Sequence, residues 1–114
     1  MDCFNVTILG CGSAKPTLRH SPTSQVVNFR GNLFLVDCGE GVQVGLCRNH
    51  IAVGKIGHIL LSHLHGDHCL GLVGLISTLG LGQRTGEIII HAQPDAERVF
   101  RPLFDFALRL LLPP

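Results

Sequence analysis

The segment Ser62-His63-Leu64-His65-Gly66-Asp67-His68 gathers three of the chain's seven histidines and one carboxylate, directly after the apolar run Ile59 to Leu61. At the end of an extended strand, alternate side chains share a face, so His63 and His65 point together at one metal ion. Gly66 permits a sharp turn, and Asp67 and His68 then project from the first turn of a helix toward a second position. Imidazole and carboxylate suit zinc, with manganese or iron as alternatives, and two ions about 3.5 to 4 Å apart clamp a phosphodiester oxygen for hydrolysis. The competing reading is a solvated strand-to-helix loop in which Asp67 only caps the helix. Isolated histidines would favour that reading, whereas this spacing after an apolar strand favours ligands.

Counting ligands exposes a shortfall. Two ions with about three to five ligands each need more than these side chains. His20 and His50 fall in loops, His58 opens a strand and His91 ends one, so each is read as a surface residue or an outer support. The missing ligands are expected beyond Pro114. Asp37 ends an apolar strand and precedes Cys38-Gly39-Glu40-Gly41. It either orients a ligating imidazole from behind or is an ordinary turn aspartate. Gly10, Gly12 and Ser13 either cradle a phosphate with backbone N–H groups or form a plain tight turn.

The chain has 114 residues, 46% of them apolar and 15% charged, with a net charge of +1. That composition implies a globular domain and excludes a disordered tail, and no apolar run is long enough to span a membrane. The near-zero charge supplies no general attraction for a polyanion, so nucleic-acid binding would have to rest on local geometry or on further chain. Five scattered cysteines without C-x-x-C spacing suggest neither a disulfide framework nor a zinc knuckle; reduced thiols point to the cytoplasm, and no targeting segment is visible.

Apolar patterning predicts a strand over Asn5 to Leu9 and a hairpin of Gln25 to Phe29 with Leu33 to Val36. A short helix over Val42 to Asn49 and an interior strand Ile59 to Leu61 follow. A helix from Leu72 through Leu79 is ended by Gly80 and Gly82, Glu87 to Ile90 forms a strand, and a helix runs over Val99 to Leu111 with Pro102 near its start. Strands joined by hairpins, then strand, helix, strand, helix, make an α/β (α+β) chain. The apolar stripes Leu72 to Leu79 and Val99 to Leu111 have no later element to cover them, so residues 1–114 are expected to be one part of a larger domain.

His63-Leu64-His65-Gly66-Asp67-His68 resembles the H-x-H-x-D-H signature of the metallo-β-lactamase fold. With Leu9 to Thr17, Phe34 to Gln43 and Leu61 to Leu72, the chain is similar to the ribonuclease Z family, the tRNA 3′-processing endonucleases. The resemblance implies the N-terminal half of an αββα sandwich. It implies a metal-dependent hydrolase that removes the 3′ trailer from precursor tRNA, with two zinc ions per full-length subunit, a homodimer and a cytoplasmic location. His63 and His65 would bind one zinc, Asp67 and His68 the other; Asp67 would also accept a proton, and Asp37 would support the site from behind. Family chains are more than twice as long, and their later His, Asp and His ligands and tRNA-gripping arm have no counterpart here. The isolated chain is therefore expected to be inactive. The alternatives are a hydrolase of the same fold acting on small phosphodiesters, cyclic nucleotides or esters, or an inactive fragment.

Overall fold

Apolar residues at alternate positions build a five-stranded mixed sheet, and three helices close one of its faces. The computed structural model describes residues 4–12, 17–19, 21–62, 64, 66–81 and 86–109. Strands β1 (Phe4–Gly10), β2 (Ser24–Phe29) and β3 (Asn32–Val36) form an antiparallel meander, and β2 and β3 are the expected hairpin. Arg30 and Gly31 turn it with φ of 53° and 85°, a left-handed pair suited to a tight two-residue connection. After helix α1 (Val42–Arg48), strand β4 (Ile56–Leu60) pairs parallel to β3; after α2 (Gly66–Cys69) and α3 (Leu72–Leu81), strand β5 (Ile89–His91) pairs parallel to β4. Helix α4 (Asp95–Arg109) follows, and the strand order is β1-β2-β3-β4-β5.

Strand β4 begins earlier than the apolar run suggests because its periodicity is interrupted. Leu33 pairs with Ile56 but Phe34 pairs with His58, so Gly57 is an extra residue in the ladder. The bulge turns Ile56 and Ile59, three residues apart, to the same face, where both are fully buried. They share a core with Val26 and Leu35 of the sheet, Val42 and Leu46 of α1, Leu72, Leu75 and Leu79 of α3, and Ala96 and Phe100 of α4. Gly45 of α1 faces β1, and a Cβ there would stand 3.4 Å from that of Leu9.

Three expectations need correction. Leu72, Leu75 and Leu79 are covered, since α3 lies on the sheet. Gly80 does not end α3, which runs to Leu81. Helix α4 starts at Asp95, so Pro102 lies inside it, and the buried stripe is Ala96, Phe100 and Phe104 rather than Val99, Leu103 and Phe106. Asp95 and Glu97 in the first turn favour that earlier start through the helix dipole; Leu110 and Leu111 lie outside the described residues.

The uncovered apolar surface is instead the second face of the sheet. Residues directly opposite in a ladder point to one side, which aligns Phe4 with Phe29, Val6 with Val27 and Phe34, and Phe34 with His58. On this face Phe4, Val6 and Ile8 are 69%, 51% and 61% exposed.

Candidate metal centre

Strands β3 and β4 run parallel and end side by side, which gathers the residues that follow them at one edge of the sheet. The Asp37 N–H donates to the Leu60 carbonyl at 2.7 Å, and the Leu61 N–H to that of His91 at 2.9 Å. Asp37 adopts a φ of 62°, a conformation that β-carbon sterics disfavour and that persists only where the surroundings impose it. Here they do: the residue is 5% exposed, and its carbonyl accepts a hydrogen bond from the buried Ser24 hydroxyl at 2.8 Å.

The strained backbone aims the Asp37 carboxylate at the segment after β4. Oδ1 accepts the Ser62 N–H at 2.8 Å; Oδ2 accepts the Ser62 hydroxyl at 3.0 Å and lies 2.8 Å from His68 Nδ1. A carboxylate can only accept, so this contact places an Nδ1 proton on the His68 ring, and in the neutral ring it leaves the lone pair on Nε2. A histidine that ligates a metal is held in this way, by a carboxylate on the opposite ring nitrogen. The His68 side chain is 19% exposed. By this test His68 and Asp37 fit a divalent metal such as zinc.

Backbone lacing fixes the two segments against each other. The Cys38 N–H donates to the His68 carbonyl at 2.8 Å, and the Gly71 N–H donates to the Cys38 carbonyl at 2.8 Å. A side chain at Gly71 would collide with the Gly39 carbonyl, so this approach requires glycine. The Gly41 φ of 76° then turns the chain into α1. Burial pushes the Cys38 thiol up to about 12, and neighbouring Cys69 and Asp37 add to the effect. Cys38 is thus a packing residue and no nucleophile.

His63 and His65 lie outside the described residues, as does the side chain of Asp67, whose backbone stands in α2. Among the described residues no group of three or more His, Cys, Asp or Glu forms a metal cluster. Ser13 and His20 also lie outside the described set. The Gly12 N–H, a candidate phosphate donor, instead donates to the Ser21 carbonyl at 2.9 Å. Gly10 serves close packing, because a Cβ there would meet the carbonyls of Ser21 and Pro22. His50 is an exposed turn residue with φ of 56°. His58 and His91 bond to each other, Nδ1 to Nε2, at 3.0 Å. Ser62 is the participant that sequence reasoning missed; its position directly before the motif was the available signal. A cleft of about 430 Å³ between β5, α3 and α4 is lined by Leu72, Ile90, Phe100 and Phe104.

A family model described as Anti-Pycsar protein Apyc1 matches residues 4–98. Ribonuclease Z of Bacteroides thetaiotaomicron is 53% identical over 111 residues, which cover 97% of this chain and 35% of the relative. The chain thus spans about a third of the length of the curated relatives it matches. Human tRNase Z, short form, superposes with a TM-score of 0.83 at 33% identity, covering 94% of this chain and 40% of the other. A diphosphatase from the PhnP family superposes with a TM-score of 0.69 at 25% identity, covering 89% of this chain and 46% of the other. Neighbours of this kind carry the metallo-β-lactamase fold, and the described sheet with its one helical face is the N-terminal half of that sandwich. The chain belongs to the family described as Anti-Pycsar protein Apyc1, and over nearly its whole length it is similar to the N-terminal part of ribonuclease Z.

Proposed function

We propose that this chain is the N-terminal part of one metallo-β-lactamase-fold domain, and that the complete protein is a zinc-dependent endoribonuclease that removes the 3′ trailer from precursor tRNA. The observation that carries the reading is the Asp37–His68 pair at the sheet edge, which prepares an imidazole for a metal beside the H-x-H-x-D-H motif. The 53% identity to a ribonuclease Z supports the substrate.

In this reading His63 and His65 hold one zinc ion, and Asp67 and His68 hold the other. Bound zinc supplies Lewis acidity, which activates water and offsets charge developing on the phosphate. The chain's own residues do the rest. Asp37 holds the His68 proton on Nδ1, and a carboxylate oxygen of Asp67 takes the proton released as water attacks the phosphodiester. The remaining ligands come from chain beyond Pro114, which also covers the open face of Phe4, Val6 and Ile8; the complete protein works as a homodimer. Among the described residues no helix is long and apolar enough to cross a membrane, and the thiols of Cys11, Cys38, Cys47 and Cys69 suit the cytoplasm.

Cleavage of a precursor tRNA by the complete protein tests the reading. Release of the intact 3′ trailer, lost on chelation and restored by zinc, is the expected result; a correctly folded, zinc-loaded protein that leaves the precursor uncut contradicts it. The likeness to a diphosphatase favours a second reading, hydrolysis of small phosphodiesters or phosphoanhydrides at the same residues. Turnover of such compounds without tRNA cleavage would select it.

A further inference from the structure

Ser62 makes two separate bonds to one carboxylate. Its N–H donates to Asp37 Oδ1 at 2.8 Å, and its hydroxyl donates to Oδ2 at 3.0 Å. Both oxygens are therefore tied, and the carboxylate cannot rotate about its terminal bond without breaking one of them. The hydroxyl oxygen also stands 3.2 Å from His68 Nδ1. Since the hydroxyl proton is directed at Oδ2, its oxygen is available as a second acceptor for the Nδ1 proton, which Oδ2 already accepts at 2.8 Å. Two protons thus serve the three contacts among Ser62, Asp37 and His68, and each proton assignment supports the others.

We propose that Ser62 is a positioning residue for the metal site, acting on Asp37 to hold the His68 ring in one orientation. The inference rests on reading His68 as a metal ligand, and it assigns the hydroxyl, rather than the bulk of the side chain, as the working group. Loss of an outer-sphere partner of a metal ligand typically lowers metal affinity by about 10- to 100-fold. The Ser62 hydroxyl makes the longer contact to the ring, 3.2 Å against 2.8 Å for Asp37, so the lower end is expected.

Position 62 is exposed. Threonine and valine have nearly the same shape and differ in the hydroxyl, so Ser62→Thr and Ser62→Val separate hydrogen bonding from packing. The experiment is zinc affinity of the complete protein, by competition with a chelator, for wild type, Ser62→Thr, Ser62→Val, Ser62→Ala and His68→Ala, with folding followed by circular dichroism. Affinity should fall by about 10-fold in Ser62→Val and Ser62→Ala and stay within about 2-fold of wild type in Ser62→Thr. In the metal-free protein, the His68 ring nitrogen signals should be sharp in wild type and Ser62→Thr and broadened by ring motion in Ser62→Val. Wild-type affinity in a folded Ser62→Val or Ser62→Ala, or equal losses in Ser62→Thr and Ser62→Val, overturns the proposal alone. Unchanged zinc binding in His68→Ala overturns the metal-site reading itself and this proposal with it.

Discussion

Strand β4 leads from one histidine environment to another, and the two differ in who holds the proton. His58, within β4, meets His91 of β5 imidazole to imidazole at 3.0 Å, flanked by the Phe34 ring on the open face of the sheet. Either ring can donate in such a pair, so nothing in it selects a tautomer. His68, beyond the strand's end, meets the buried carboxylate of Asp37 at 2.8 Å, where only the ring can donate. A metal-binding imidazole must keep a lone pair on a defined nitrogen, and only the second environment guarantees it. Proximity of histidines is therefore a poorer guide to a metal site than the partner behind each ring.

The largest effect expected from this contrast is at Asp67. In the complete protein Asp67→Ala should lower precursor-tRNA cleavage by at least about 100-fold, since the residue is assigned both a metal and a proton. Single-turnover assays on a folded, zinc-loaded variant check this, and near-normal cleavage would break the assignment. Next comes Asp37→Asn, which places an amide where a carboxylate fixes the tautomer; zinc affinity should drop by about 10- to 100-fold with the fold retained. His91→Ala is the counterpart on the open face. It should leave zinc affinity within about 2-fold and lower stability by about 1 kcal/mol, the usual scale of one hydrogen bond. A loss of zinc in His91→Ala as large as in Asp37→Asn would erase the distinction between the two environments.

The smallest effect sharpens the account of the lacing behind His68. The folded Cys38 thiol stands at about 12 against an ordinary 9.0. Between those values the unfolded chain has released a proton that the folded chain keeps. The contribution is thus full below pH 9.0 and is lost as pH climbs through about 12. Denaturation midpoints should fall over that alkaline range, and Cys38→Ala, whatever its own stability, should show a shallower fall.

Much of the fold was legible because its signals are local. The alternation in β2 and β3, the apolar run of β4 and the Leu72, Leu75 and Leu79 stripe each report burial within a few residues. The candidate site was legible in part. The motif named His68, and Asp37 could be placed at a strand end, but its choice between support and ordinary turn depended on Ser62, 25 residues away, and His68, 31 residues away. Pairing of that kind leaves no periodic trace. The same holds for the Gly57 bulge, visible only against its partner strand, and for α4, where Pro102 suggested a start that Asp95 takes.

The most direct test of the central claim is the protonation of a single ring. Long-range proton–nitrogen correlation spectra of His68 in the complete protein, recorded without metal and after addition of zinc, read both nitrogens. A proton on Nδ1 in both states and a zinc-induced shift at Nε2 are expected. A proton on Nε2 in the metal-free protein, or zinc coordinated through Nδ1, would contradict it.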